Sequence, residues 1–334
     1  MKPRTIITVV IVLAIMIGSR LLFPVEELPE VSVAAEVIGR PGGFPFTNSL
    51  LMTLVVDLVL IVLVLLGTSR MAAIPRGLQN VWELAVDTFY NLGVSIDHRN
   101  IARMFTLVAT IFFFVLFSNF LALVPGVGSI GLCRTHEEAL INQSVEIEEA
   151  PTAHDADHEE EVHKADIANG TCGTYEHDGV EEAYVLVPLL RSPSADLNTT
   201  LMIALVSFLS IEYFGFKALG IGYLGKFFNF KEGPLNFVVG LFELISEFVR
   251  ILSFSFRLFG NIFAGEVVLA VMAFLVPWLL PLPFYGLEVF VAFMQAFIFA
   301  ALTMAFINQA TTAHHAEDEH GGHVEASPMD NLAH

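Results

Sequence analysis

The stretch GLFELISEFVRILSFSFRLFGNIFAGEVVLAVMAF, residues 240–274, decides the fold class of this chain. It lies within an apolar run from Pro234 to Phe274 that is about twice as long as the ~20 residues a helix needs to cross a bilayer. A helix of that length must tilt strongly or lie partly along the membrane. The stretch therefore predicts a long, tilted membrane helix that carries several charges.

A second long apolar run, Phe284 to Ala310, follows a proline-rich turn that extends from Val276 to Pro283. The two runs predict a hairpin of long, strongly tilted membrane helices at the C-terminal end of the chain. Three other apolar runs are each long enough for one crossing. They are Ser49 to Leu66, Met104 to Val124, and Asp196 to Phe216.

Two segments have a different character. Leu78 to Val94 spaces its apolar residues at helical intervals and its polar residues on another face, which predicts an amphipathic helix lying on the membrane surface. Thr5 to Gly18 is apolar and follows Lys2 and Arg4, so it is either a cleaved signal peptide or a retained anchor. Together the segments predict an all-α integral membrane protein with about five to six membrane helices.

The composition agrees with burial in a membrane. Of the 334 residues, 55% are hydrophobic and only 15% are charged, which is too few to coat a soluble globule of this size. The net charge is −19, but 15 of the 35 acidic residues fall between Gly126 and Glu182, so the acidity is local. The 16 Lys and Arg residues are scattered singly, which argues against a nucleic-acid partner.

The pattern divides the chain into five regions. Residues 1–45 are an N-terminal anchor or signal-like segment with an external linker, and residues 46–125 hold the first membrane helix, the interfacial helix and the second membrane helix. Residues 126–190 form an acidic external loop insertion that is expected to be irregular or a small excursion domain. Residues 191–310 hold the remaining membrane helices, and residues 311–334 are a His-rich tail.

Basic residues and cysteines indicate the sidedness. Arg70 and Arg76 follow the first crossing, and Lys217, Lys226 and Lys231 follow the third, so the positive-inside rule puts these loops and the C-terminal tail in the cytoplasm. Cys133 and Cys172 are the only cysteines, and both lie in the acidic loop. On an oxidising face they form a disulfide, and otherwise they are two free thiols; the sequence leaves both open.

The charges within the last two apolar runs need a reason, because ionisable groups at membrane depth cost several kcal/mol unless they face partners or water. Glu243, Arg250 and Arg257 are spaced by seven residues and share one helical stripe, and Asn261 stays near it. Glu266 falls on the opposite face, about 13 Å along the axis from Arg257.

The last helix supplies further polar groups. Glu288 and Gln295 are also seven residues apart, so they share a face that can meet Glu266 across the hairpin. The spacing predicts one polar access site near Glu243 and Glu247 on the cytoplasmic side, and another near Glu266, Glu288 and Gln295 on the outer side.

Arg257 stands between the two access sites. A guanidinium is not deprotonated in proteins, so Arg257 can hold a carboxylate charged but cannot relay a proton itself. Such a group acts as a barrier between the two sites. The alternative is that these charges are ion pairs that only hold the helices together.

The sequence resembles subunit a of the F-type ATP synthases. The signature is Arg257-Leu-Phe-Gly-Asn261 followed by Ala264-Gly-Glu266. Other blocks resemble the family in the same order: Ile74-Pro-Arg-Gly77, Ser118-Asn119 before Leu123-Val-Pro125-Gly126, Pro193-Ser-Ala-Asp196-Leu-Asn198-Thr-Thr200, and Gln295-Ala-Phe-Ile-Phe299. The resemblance covers about residues 45 to 310 apart from the acidic loop.

The resemblance implies a stator in the plasma membrane of a bacterium, with no catalytic site for ATP and no cofactor of its own. Its partners would be a rotating ring of c subunits, the b-type subunits of a peripheral stalk, and membrane lipids. Arg257 would be the essential arginine that faces the ring, with Asn261 and Gln295 as polar supports. Glu266, Glu288, Asn119, Asp196 and Asn198 would line the outer half-channel, and Glu243, together with Glu247, the cytoplasmic one.

Two features depart from the family or favour a rival. Glu288 stands where some relatives carry histidine. The expected location of the outer channel is the same, but its acid–base chemistry would differ. A metal-ion or proton transporter would also show His-rich loops and tails. None of the 11 histidines lies in a predicted membrane segment, however, so we expect no metal site in the membrane.

Overall fold

The computed structural model describes most of the predicted membrane region. The described residues are 18, 33–69, 77–96, 101–134, 174–177, 180–183, 185–220, 222–223, 234–276 and 280–312. Nearly all of the N-terminal apolar segment, the His-rich tail, Cys172 and the basic residues Arg70, Arg76, Lys226 and Lys231 lie outside them.

Six long helices make up the membrane region. They are α1 (Asn48–Thr68), α2 (Leu78–Ile96), α3 (Ile101–Ala122), α4 (Leu197–Leu219), α5 (Pro234–Leu275) and α6 (Pro281–Thr311). All except α2 are long and apolar enough to cross a membrane. The predicted class, an all-α integral membrane protein, is confirmed, with five candidate crossings within the described residues.

The two C-terminal helices are much longer than the bilayer is thick. At about 1.5 Å per residue, the 42 residues of α5 and the 31 residues of α6 extend about 63 Å and 47 Å, against ~30 Å for the hydrocarbon core. One prediction was wrong, because Pro281 and Pro283 belong to the first turn of α6 and not to the loop. Proline fits there because the first turn of a helix requires no backbone N–H donor.

The amphipathic helix α2 packs on α3 through aromatic rings. Trp82 stacks on Phe113 with ring centroids 4.8 Å apart, and Phe89 stacks on Phe112 at 4.5 Å. The opposite side of α2, including Val81 and Leu84, is exposed. The position of α2 on the membrane surface stays a prediction.

The core lies where α3, α4 and α5 pack around α6. Ala292, Ala296 and Ala300 are fully buried on α6, and such small side chains let membrane helices approach closely. Two buried hydroxyl pairs also connect the helices. Ser207 on α4 meets Thr303 on α6 at 2.8 Å, and Thr200 on α4 meets Ser255 on α5 at 3.2 Å.

Short antiparallel strands border the helices at one end. β1 (Val37–Gly39) pairs with β2 (Phe46–Thr47), β3 (Gly131–Arg134) with β6 (Val185–Pro188), and β4 (Thr174–His177) with β5 (Val180–Ala183). The sequence predicted an irregular loop or a small excursion domain at 126–190 and located none of these strands, because segments of two to four residues are too short to show a period. The β3–β6 pair brings the two ends of the acidic segment together.

Cys133 lies on β3 and is disulfide-bonded. Cys172, the only other cysteine in the sequence, is outside the described residues. The pairing of these two residues stays a prediction.

Candidate functional site

Arg257 presents its charge on the surface of α5. Its side chain is exposed, its Nη2 donates a 3.4 Å hydrogen bond to Ser253 Oγ, and its guanidinium carbon lies 5.8 Å from the ring centroid of Phe254. In the described part of the chain no carboxylate forms an ion pair with it. The guanidinium is therefore free to attract an anion from outside the chain.

One helical turn beyond Arg257, α5 contacts α6 through two amides. Asn261 Nδ2 donates a 2.7 Å hydrogen bond to Gln295 Oε1. Gln295 is 2% exposed, whereas Asn261 lies on the exposed side of α5. The two predicted supports of Arg257 are thus in direct contact, and the amide pair fixes α6 beside the arginine.

We call Arg191, Asp196, Glu266 and Glu288 the strand-end cluster, because Arg191 and Asp196 lie just beyond β6. Arg191 Nε is 3.7 Å from Glu266 Oε2, and Arg191 Nη1 donates a 2.7 Å hydrogen bond to the carbonyl of Ala34. Arg191 is buried, while the side chain of Glu266 is 32% exposed. The sequence did not single out Arg191, because it stands outside every apolar run.

Glu288 completes this cluster from α6. Its carboxylate occupies the space that a Cβ atom on Gly265 would fill, so the absence of a side chain at residue 265 allows Glu288 its present position against α5. Glu288 thus reaches α5 at the residue next to Glu266 in the chain. A direct interaction of Glu288 with Glu266 across the hairpin stays a prediction.

Asp196 is the N-cap of α4 and connects it to α1. Its Oδ2 accepts hydrogen bonds from Ser49 Oγ at 2.7 Å and from Thr199 Oγ1 at 3.2 Å, and its Oδ1 accepts one from the backbone N–H of Asn198 at 3.1 Å. Asp196 is buried. Asn198, which the sequence also placed in the site, joins Asp196 through its backbone, and its side chain is exposed.

Several buried polar side chains nearby lack a hydrogen-bond partner within the described residues. These atoms are Ser118 Oγ, Asn119 Nδ2 and Oδ1, Ser192 Oγ, Ser194 Oγ and Gln295 Nε2. They come from the end of α3, the turn before α4 and the middle of α6, which pack on one another. A buried polar group left unsatisfied costs about 1–3 kcal/mol, and internal water is the usual way to satisfy it. This region is therefore suited to hold water.

The second group lies on the other side of Arg257 along α5, and we call Glu212, Tyr223, Glu247 and Arg250 the far-end cluster. Arg250 Nη1 forms a salt bridge with Glu247, which is 3% exposed, and the guanidinium of Arg250 lies 4.0 Å from the ring centroid of Phe306 on α6. The predicted cytoplasmic residue Glu247 is thus buried and paired, and Glu243 is half-buried.

Two members of the far-end cluster were missed by the sequence reasoning. Tyr223 is 2% exposed, and its hydroxyl donates a 3.3 Å hydrogen bond to Glu212 Oε1. Glu212 is the one acidic residue within α4, so a charge inside an apolar run was the signal that could have found it. Tyr223 carried no such signal, because its position depends on how the chain turns after α4.

Arg250 and Arg257 share a predicted stripe but not an environment. Arg250 is turned inward onto α6, whereas Arg257 is exposed. Residues seven apart on a helix differ in direction by about 20°, and this difference together with the position of α6 gives the two arginines different surroundings. Among the described residues, no group of three or more His, Cys, Asp and Glu is arranged to hold a metal ion.

Comparison with known proteins gives consistent matches. A family model described as ATP synthase A chain matches residues 50–308. ATP synthase subunit a of Gloeobacter violaceus is 30% identical over 274 residues, which are 82% of this chain and 86% of that protein. Those of Helicobacter hepaticus and Moorella thermoacetica are 29% identical over 272 residues and 27% identical over 274 residues. They cover 80% and 82% of this chain, and 90% and 94% of the relatives.

Proposed function

The chain belongs to the ATP synthase A chain family, and we propose that it moves protons by means of Arg257 and the two polar clusters that flank it. As a subunit a, it is a proton-translocating, multi-pass bacterial membrane protein, and it works in a complex with other subunits of the membrane sector. The proposal concerns which residues do the work.

The exposure of Arg257 is the observation that carries the proposal. A cation with no acidic partner among the described residues is costly at membrane depth unless an outside anion compensates it. A carboxylate on a rotating ring of c subunits is such an anion. Opposite Arg257 this carboxylate stays ionised, because the positive charge favours its charged form. Since the guanidinium keeps its proton, Arg257 also blocks a direct leak of protons past the ring.

The two clusters are proposed to be the ends of two offset half-channels. Glu266 lies about 13 Å from Arg257 along α5, and Glu247 lies about 15 Å from Arg257 in the other direction. The strand-end cluster, with Asn119, Asn198 and the unsatisfied polar atoms around it, would be the outer half-channel. Glu243 and Glu247, the latter from the far-end cluster, would line the cytoplasmic half-channel. A proton gains about 2.3 kcal/mol per 100 mV when it crosses, so several crossings are needed for each ATP.

The remaining parts of the proposal rest on membership of the family. The exposed sides of α5 and α6 face the c-ring, b-type stalk subunits hold the chain against rotation, and lipids cover the rest. ATP chemistry takes place outside this chain, and the C-terminal tail is cytoplasmic. A metal-ion transporter is less well supported, since the ATP synthase A chain family model matches residues 50–308.

Arg257→Ala tests the barrier role. In native membranes we expect coupled ATP synthesis to be lost, while passive proton leak is retained or increased in vesicles stripped of the catalytic sector. Removing the cation takes away both the attraction for the ring carboxylate and the block to leakage. Assembly of the ring must be verified in the same membranes.

Arg103→Ala is the matched control, because Arg103 is an exposed arginine on α3 that lies outside both clusters. We expect it to leave synthesis close to that of the parent chain. Near-normal coupled synthesis in Arg257→Ala would contradict the mechanism, whatever the control does.

A further inference from the structure

Glu212 is an acidic residue inside the membrane helix α4. Neither of the half-channels proposed above includes it. It is half-buried on α4, seven residues before the helix ends at Leu219, and so about 10 Å from that end. A carboxylate at this depth costs several kcal/mol unless water or a polar partner stabilises it.

The chain after α4 turns back to give Glu212 a partner. Gly220 has φ +60°, a conformation that L side chains rarely adopt, and it ends the helix so that Tyr223 returns along α4. The ring of Tyr223 packs against Gly215, where an added Cβ would lie 2.8 Å from a ring carbon. A glycine at each position therefore allows the hydroxyl of Tyr223 to reach Glu212.

The far-end cluster lies where α4 and α5 face each other. Glu247 lines a cavity between these two helices together with Leu205 and Phe208 of α4, and Glu212 is one helical turn beyond Phe208. Burial raises the pKa of Tyr223 above its ordinary value, the carboxylates of Glu212 and Glu247 raise it further, and Arg250 lowers it. At neutral pH the hydroxyl therefore keeps its proton and donates it in the hydrogen bond to Glu212.

We propose that Glu212 and Tyr223 are the cytoplasmic segment of the proton path and connect Glu247 to water at the end of α4. A proton that leaves the ring binds the carboxylate of Glu247. The hydroxyl oxygen of Tyr223 accepts this proton as its own proton passes to Glu212, and Glu212 releases it to water. Loss of the proton leaves Glu247 as a carboxylate, and its salt bridge with Arg250 stabilises that charged form until the next proton arrives. This inference rests on the proposed function and adds two residues to it.

The first experiment compares proton flux in Glu212→Gln with the parent complex, using vesicles stripped of the catalytic sector in which assembly has been verified. We expect Glu212→Gln to lower passive flux by about tenfold or more, because the amide cannot accept a proton. Glu212→Asp should recover part of the flux. Tyr223→Phe should also reduce it, and Asp87→Asn, a loss of an exposed acid on α2, should not. Unchanged flux in assembled Glu212→Gln overturns the inference.

The second experiment asks whether Glu212 is in contact with cytoplasmic water, which a hydrogen bond to Tyr223 of purely structural value would not require. Glu212→Cys is treated with a membrane-impermeant methanethiosulfonate, applied to one face of the vesicles at a time. Labelling from the cytoplasmic face that blocks the remaining flux supports the path. Labelling only from the other face, or none, contradicts it. Arg257→Ala tests the proposed function independently. If Arg257→Ala loses coupled synthesis while Glu212→Gln keeps normal flux, the inference about Glu212 is refuted and the proposed role of Arg257 is not.

Discussion

At the scale of single residues, Gly265 leaves room for the carboxylate of Glu288 against α5. The residue that follows Gly265 in the chain is Glu266, so this space places Glu288 beside the strand-end cluster. The position of Glu288 is therefore sensitive to a residue that has no functional group of its own. The amide pair of Asn261 and Gln295 fixes the same two helices one turn nearer Arg257.

Gly265→Ala is predicted to reduce proton flux without removing any ionisable group. The added methyl group displaces the Glu288 carboxylate from its position against α5, and the flexible side chain can move without forcing the helices apart. The measurement is ATP-driven proton pumping in membranes with equal amounts of assembled complex. Gly286→Ala is the control, because a Cβ at Gly286 has no atom within 4 Å. Equal pumping by the two variants would show that the position of Glu288 does not matter.

At the scale of helices, α6 is the element on which the others pack. Its buried alanines lie along one side and allow α3 and α4 to approach, and Met304 and Ile307 continue this side with no exposed surface. The side that carries Phe290 and Phe293 is exposed instead. One side of α6 is therefore committed to packing within the chain, and the other is available to lipid or to a partner subunit.

Ala300→Leu is predicted to destabilise this packing. Ala300 is fully buried, so three extra carbon atoms must push α3 or α4 away, at a cost of about 1–3 kcal/mol. Thermal unfolding of the detergent-solubilised complex should begin at a lower temperature than in the parent. Ala102→Leu adds the same carbons at an exposed position of α3 and should leave the transition unchanged. If Ala300→Leu unfolds at the same temperature as this control, the helices around α6 accommodate the larger side chain without loss of stability.

The membrane helices could be predicted from the sequence because a crossing leaves a long apolar run. The predicted run Ser49 to Leu66 corresponds to the observed Asn48–Thr68, and Asp196 to Phe216 to Leu197–Leu219. The contacts of Arg191 and Tyr223 could not be predicted in this way. Both residues stand in connecting segments whose path depends on turns and short strands, such as the return at Gly220, and such features have no periodic signal.

At the scale of the whole molecule, the described helices divide into sides with different surroundings. The acidic clusters lie toward opposite ends of α5, and the exposed Arg257 lies between them. A direct path between the clusters would have to pass this positive charge. Transfer through a moving carboxylate on a second subunit avoids that barrier, which is why we propose that the ring covers the Arg257 side of α5.

Cysteine cross-linking tests that orientation. Ala264 is exposed on α5 seven residues beyond Arg257, so it lies on nearly the same side of the helix. We expect Ala264→Cys to form a disulfide with a cysteine introduced at the same membrane depth on the outer helix of the c subunit. The product would be a heterodimer on a non-reducing gel after mild oxidation, and its formation should stop rotation-coupled ATP synthesis until a reductant is added.

Thr110→Cys is the control, since Thr110 is exposed near the middle of α3 and not on the Arg257 side of α5. It should give no such product, because α3 packs against α6 and is not expected to face the ring. Cross-linking from Thr110→Cys but not from Ala264→Cys would mean that the ring meets another side of the molecule. The exposed charge of Arg257 would then need a different anion, and the two clusters could not deliver protons to a single ring carboxylate.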